Sequence, residues 1–379
     1  MASITKRPDG RWRARYRDDR GKEHARHFDR KVDGQRWLDE VTASVVTGQY
    51  VAPGAGKITL KEYAEAWRAN QAHRPTTQEQ VERHFKLHVY PHLGDRPLGT
   101  ILPSDLRALV KRLSVTLSPA TVSVIYRHLS AVFKAAVGDR RIATSPCAGI
   151  SVPKPKKPKI VPVSTDAVQR LAAVISPRYS AAVVLAAGTG LRQGEVFGLT
   201  VDRIDFLRRS LTVDRQLVLL VGRPPQFGPP KTDSSVRVIP LPKVVVEALT
   251  AHLSVFPPGP VGLVFTTEAG GPLRRSGFGD VWRKATVDAG VPGFVFHGLR
   301  HYYASLLIRH GESVKTVQER LGHASAVETL DTYSHLWPDS DDRTREAVDS
   351  VLVPALLRTP RGLGVAESSV AAGQGPKGG

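Results

Sequence analysis

Near the start of the chain, apolar and charged positions alternate with a period of two. Trp12, Ala14 and Tyr16 interleave with Arg11, Arg13, Arg15 and Arg17, between turn signals at Pro8-Asp9-Gly10 and Asp18-Asp19-Arg20-Gly21. That period predicts a strand with the aromatic residues on one face and the arginines on the other. A helical pattern follows, with Asp29 as its candidate N-cap and Gly48 as its candidate C-cap. Its face toward the sheet would be Val32, Trp37, Leu38, Val41 and Val45.

From residue 58 to 150 the spacing is helical. Thr59 precedes LKEYAEAWRANQ, and Ser118-Pro119 opens LSPATVSVIYRHLSAVFKAAV with proline at the first helical position. Val122, Ile125, Leu129, Val132 and Phe133 fall on one stripe and read as core. Arg127, His128 and Lys134 are candidates for phosphate contact or for an ordinary solvated face.

From 163 to 357 helix and strand mix. Ser164 or Thr165 caps a helix through Val174, and SAAVVLAAGTG reads as a buried helix ending in a glycine turn. SLTVDRQ and SVRVIPLP are short β-branched runs joined by a long Pro/Gly-rich connection, and the pattern is helical again from Gly277. Two Pro-rich stretches separate these parts, VAPGAGK (51–57) and SVPKPKKPKIVP (151–162). Beyond residue 358 the chain turns Gly-, Ala- and Ser-rich, the composition of a disordered tail (358–379). The expected fold is therefore multidomain: a small α+β domain (1–52), an all-α domain (57–150), and a mixed, mainly-α (α+β) domain (163–357).

Charge narrows the class of partner. Lys and Arg number 54 against 35 Asp and Glu, a net charge of +19. Such an excess suits a polyanion, because neutralising phosphates releases condensed counterions. The lone Cys147 excludes an intramolecular disulfide framework and a cysteine zinc site. No run approaches the roughly 18 apolar residues of a membrane span. The N-terminus lacks the apolar core of a secretory signal, so a cytoplasmic protein is expected.

Four stretches of the last part stand out: GTGLRQGEV (188–196), PKTDSSVRVIPL (230–241), HGLRH (297–301) and LGHASAVETLDTYSH (321–335). In order and spacing they resemble the Arg, Lys, His-x-x-Arg, His, Tyr set of the tyrosine recombinase (phage integrase) family. The resemblance extends over nearly the whole chain and takes in HLGDRPLGTILPSDL (92–106). It implies an arm-type DNA-binding domain, a core-binding domain and a catalytic domain, in that order. The partners it implies are double-stranded DNA at core and arm attachment sites, a homotetramer on DNA, and DNA-bending and directionality factors. The setting it implies is the nucleoid of a bacterial host.

The chemistry supports the same assignment. Attack on a phosphodiester gathers negative charge on its non-bridging oxygens, so catalysis needs fixed cations, a nucleophile and a proton donor for the leaving oxygen. Matched to the family motif, Arg192 and Arg300 form the clamp, since a guanidinium is permanently charged and meets two oxygens at once. Glu195 would steady the turn that carries Arg192. His297 and His323 donate hydrogen bonds to the phosphate, and Lys231, expected on a β-hairpin turn, protonates the departing 5′-oxygen. Tyr333 is the nucleophile, and the covalent link it forms conserves the bond energy for rejoining. His301 would pack or orient its neighbours, His335 is a bystander, and Tyr302 and Tyr303 read as core. The stretch 345–353, with Ala347, Val348, Val351 and Leu352 on one face, would dock either on a neighbouring protomer or on its own domain.

HGLRH has the histidine spacing of a zinc-protease helix but lacks the glutamate general base. GTGLRQG is one position off a dinucleotide fingerprint and has no phosphate-loop lysine. Neither metal nor nucleotide cofactor is expected. Two alternatives stay open at this stage: a type IB topoisomerase, and a catalytically silent DNA-binding protein.

Overall fold

The computed structural model describes residues 2–18, 21–48, 50–155, 159–220, 222–230, 232–337 and 341–357. The chain divides into two compact units, Met1–Pro158 with Leu220–Pro224, and Lys159–Leu219 with Pro225–Gly379. The tail expected to be disordered lies outside the described residues, as does Lys231.

The first unit holds two separate cores. In the smaller, β1 (Ser3–Lys6), β2 (Trp12–Arg17) and β3 (Glu23–Phe28) form an antiparallel sheet in that order, with Ala14 opposite Ile4 and Arg26. Helix α1 (Lys31–Val46) lies on it, and Ala14, Tyr16, Leu38 and Tyr50 are buried between them. The expected alternation of β2 is present. Its arginines converge on one acid: Arg13, Arg15 and Arg17 stand 3.3, 3.7 and 4.0 Å from Glu23.

The expected details of α1 need correction. Arg30, not Asp29, occupies the N-cap, and Asp29 instead accepts from Arg11 Nε at 3.1 Å. Val32 and Val45 are exposed. The face on the sheet runs through Gly34, Trp37, Leu38 and Val41, with a Cβ on Gly34 placed only 2.7 Å from Ile4 Cδ1. A glycine can therefore be the point of closest approach, which a count of apolar side chains misses.

The larger core is helical: α2 (Leu60–Ala69), α3 (Pro75–His84), a π turn (Phe85–Val89), α4 (Tyr90–Leu93), α5 (Pro103–Thr116) and α6 (Pro119–Gly138). Thr59 and Glu62 cap α2 reciprocally, and Ser118 caps α6 through the Thr121 amide. The stripe Val122, Ile125, Leu129, Val132 and Phe133 is fully buried, as its spacing requires.

In the second unit, α7 (Thr165–Val174) is capped by Ser164, and α8 (Pro177–Thr189) is buried on nearly all sides. Helix α8 packs against α7, α10 (Lys243–Val255) and α12 (Gly298–Arg309). Between α9 (Gln193–Phe197) and α10 the chain forms a three-stranded antiparallel sheet, β4 (Ile204–Asp205), β5 (Ser210–Val213) and β8 (Arg237–Pro240). The connection inside it folds as a second hairpin, β6 (Gln216–Val218) with β7 (Gln226–Gly228). After α10 come α11 (Arg275–Asp288), α12, α13 (Val314–Leu321), α14 (Ala326–Tyr333) and α15 (Asp341–Leu357). Among the described residues no helix is long and apolar enough to cross a membrane.

Candidate active site

The site is built around the C-terminal end of α13. A helix end leaves its last carbonyls without intrahelical partners and carries partial negative charge. Here three consecutive carbonyls each receive a guanidinium. Arg237 Nε donates to Arg320 O at 2.9 Å, Arg300 donates to Leu321 O at 2.7 Å, and Arg192 donates to Gly322 O at 3.1 Å. The three arginines come from β8, the first turn of α12 and the N-cap of α9. One helix end thus draws together groups far apart in sequence. Gly322 ends α13 at φ +63°, in the left-handed region, and so turns the chain into His323.

Arg192 gains its position from the glycine turn before it. Gly190 ends α8 at φ +65°, and a Cβ there would lie 2.4 Å from Tyr303 Cδ1. The Gly190 carbonyl accepts from Arg300 at 2.8 Å, which ties the two expected clamp residues to one turn. Glu195 closes the arrangement from behind. It accepts from the Arg192 backbone at 2.9 Å and side chain at 3.0 Å, and from Arg237 at 2.8 and 3.2 Å. Burial pushes the Glu195 carboxyl up, but the Arg237 hydrogen bond and the charges of Arg237 and Arg192 outweigh it, so the group lies below the usual carboxylate range. Arg300 is 2% exposed; burial and the Arg192 charge lower it to about 9, which still leaves it cationic at neutral pH.

The histidines and the tyrosine complete the cluster. His297 is the N-cap residue of α12, and its ring meets His301 edge-on at 4.8 Å. His323 stacks nearly parallel to Tyr333 with ring centres 6.4 Å apart, and its Nδ1 bonds Thr329 Oγ1 at 2.8 Å. Tyr333, the last residue of α14, is 1% exposed, and its hydroxyl lies 2.8 Å from His301 Nδ1. Burial, chiefly, holds His297, His301 and His323 down to about 4, with Arg300 adding to the effect at each. All three are therefore neutral at physiological pH. Burial also pushes Tyr333 up to about 12, against the pull of Arg300 and Arg192.

Five of the six expected site residues, Arg192, His297, Arg300, His323 and Tyr333, are thus gathered; the sixth, Lys231, lies outside the described residues. Tyr302 and Tyr303 are buried, Tyr302 bonding Thr165 Oγ1 at 3.0 Å, and His335 bonds the Ile160 carbonyl at 2.8 Å. Arg237 was missed from the sequence, where its valine neighbours gave no sign that it faces inward. Val236 and Val238 of SVRVIPLP are more than half exposed, so Arg237 and Ile239 share the inward face of β8.

A basic cluster of three arginines, three neutral histidines and a shielded phenol gathers the cations, proton carriers and nucleophile that attack on a phosphodiester needs. Comparison with known proteins gives the family. The chain matches the phage integrase family model over residues 161–339, the phage integrase central domain over 60–152 and the phage integrase N-terminal domain over 2–47. The chain belongs to the tyrosine recombinase (phage integrase) family, has that family's three-domain architecture, and is a site-specific recombinase that breaks and rejoins DNA.

Among its relatives is a putative prophage phiRv2 integrase of Mycobacterium tuberculosis, 29% identical over 340 residues, covering 86% of this chain and 89% of the relative. A XerC-like tyrosine recombinase of Caldanaerobacter subterraneus is 27% identical over 328 residues, covering 78% and 84%. The fold is similar to that of the Tn1549 transposon integrase in complex with circular intermediate DNA (TM-score 0.65, 25% identity, 78% of this chain and 100% of that one). It is also similar to the lambda integrase in a tetramer bound to a Holliday junction (TM-score 0.57, 20% identity, 86% and 96%).

Proposed function

We propose that this recombinase integrates a phage or other mobile element, cutting each strand through a 3′-phosphotyrosyl link to Tyr333. Arg192 and Arg300 grip the non-bridging oxygens of the scissile phosphate. His297 and His323 donate hydrogen bonds to it, and Lys231 protonates the leaving 5′-oxygen. The observation that carries this reading is the convergence on the end of α13. It fixes the two clamp cations, Arg192 and Arg300, in advance beside Arg237, so little reorganisation of charge is left for the moment of attack. His323 Nδ1 lies 2.8 Å from the Thr329 hydroxyl, and in the tautomer in which Nδ1 accepts, the ring's proton is on Nε2, available to a phosphate oxygen.

In the same reading, residues 1–52 bind arm sites, 57–150 and 163–357 clamp the core site, and four copies act on paired sites in the nucleoid, aided by bending and directionality factors. Ala347, Val348, Val351 and Leu352 on α15 are exposed, which favours docking on a neighbouring protomer over packing at home. The test uses a nicked duplex carrying the segment that the purified protein protects from DNase I. A covalent protein–DNA adduct should form with the wild-type chain and be lost in Tyr333→Phe while protection persists. An adduct that survives Tyr333→Phe would remove Tyr333 from the mechanism.

A further inference from the structure

The Tyr333 hydroxyl needs somewhere to send its proton. A free phenol has a pKa of about 10 and is protonated at neutral pH, and burial makes this one less acidic still. Of the three histidines in the cluster, two are turned to other tasks. His323 lies face to face with the tyrosine ring and uses Nδ1 on Thr329. His297 meets His301 rather than the phenol. His301 alone of the three places a ring nitrogen on the phenolic oxygen, 2.8 Å away. It sits one residue past Arg300 on α12, so the helix that fixes a clamp residue also fixes this contact.

We infer that His301 is the general base of strand cleavage, taking the Tyr333 proton on Nδ1 as the tyrosine oxygen bonds to phosphorus and returning it when the strand is rejoined. The inference rests on the reading of Tyr333 as nucleophile. In cleavage the Oη–P bond forms and the P–O5′ bond breaks. The phenolic proton passes to His301, and O5′ takes a proton from the general acid, for which Lys231 is proposed. In rejoining, the 5′-hydroxyl attacks, gives its proton back to the general acid, and the departing tyrosine oxygen recovers its own from His301. Both directions conserve charge and need no co-reactant.

His301 is neutral at neutral pH, and in the tautomer with its proton on Nε2 the Nδ1 lone pair faces the phenol. It need not deprotonate a free phenol, because the proton becomes strongly acidic once the oxygen is bonded to phosphorus.

The test separates a base from a spacer. Asparagine places an amide oxygen near the position of Nδ1, so His301→Asn keeps a hydrogen-bond acceptor for the phenol but cannot take up its proton. Single-turnover adduct formation on the nicked duplex should fall on the order of 100-fold or more in His301→Asn. The same duplex with a 5′-bridging sulfur at the scissile position needs no acid for its leaving group. On it Lys231→Ala should recover and His301→Asn should not. Full-chain circular dichroism and DNase I protection check folding. Should His301→Asn fold poorly, His301→Ala with added imidazole takes its place, and restored adduct formation is the expected result. Wild-type rates in His301→Asn, recovery of that variant by the bridging sulfur, or no response of His301→Ala to imidazole would each overturn the inference. A surviving adduct in Tyr333→Phe would instead overturn the reading beneath it.

Discussion

Removing Arg237 should damage both stability and cleavage, although no chemical step is assigned to it. Its side chain is 6% exposed and that of Glu195 is 10% exposed. It donates twice to Glu195 and once each to the carbonyls of Arg320 and Ser235. Arg237→Ala strands a buried carboxylate with Arg192 as its remaining ion-pair partner, and breaking a buried pair in this way costs about 3–5 kcal/mol. Urea unfolding at pH 7.5, together with hydrogen exchange of the α9 and α13 peptides, measures the loss globally and locally.

Two controls sharpen the result. Arg237→Ala/Glu195→Gln should be less damaged than Arg237→Ala alone, since the stranded charge is gone. The pH dependence has a definite sign. In the wild type the carboxyl is held below its ordinary 4.5, so its stabilisation is present above pH 4.5 and is lost as pH falls through the lowered value. Without Arg237 burial dominates and the carboxyl moves up, so acid relieves the variant's penalty. The gap between wild type and variant should therefore narrow as pH falls toward 4.5. A loss under about 1 kcal/mol, or a gap that stays constant from pH 7.5 to 5, would refute the reasoning.

Three further outcomes are expected. Gly190→Ala places a Cβ 2.4 Å from the Tyr303 ring at a left-handed backbone position, so it should cost more than about 2 kcal/mol in urea unfolding and slow adduct formation by displacing Arg300. His297, His301 and His323 are each held down to about 4, so the stability they confer is complete above pH 6.5 and is lost as pH falls from 6.5 toward 4. Thermal melts should fall across that window, His84 contributing with the same sign, and His323→Gln should make the slope shallower. Deleting residues 1–50 should abolish protection of arm sites and reduce the salt dependence of DNA binding, while adduct formation on the core duplex persists; loss of core cleavage in a well-folded fragment would contradict that division.

Much of the fold was legible because its local signals were strong and mutually consistent. Thr59, Ser118-Pro119 and the Ser164-Thr165 pair each mark a helix start, and the structure caps these helices through Thr59, Ser118 and Ser164. The fully buried stripe of α6 follows from spacing alone, since a helix places such residues on one side. The start of α1 was misjudged because Asp29 had a competing partner in Arg11, which no local pattern reveals. Arg237 was missed for a related reason: an arginine on the inward face of a strand is stable only if a buried acid and free carbonyls meet it, and those lie 42 and 83 positions away.

The order of residue types along the chain determined the periods, the caps and the motif set, and hence which side chains were candidates for chemistry. Those properties depend on neighbours within a few positions, where backbone geometry is nearly fixed. Tertiary structure decided which candidates touch. It set three guanidiniums on successive carbonyls at the end of α13, gave Glu195 two arginines, and placed the Tyr333 hydroxyl on His301 rather than on His297 or His323. Hydrogen bonds of this kind depend on sub-ångström placement of side chains from different helices, which follows from how the whole core packs.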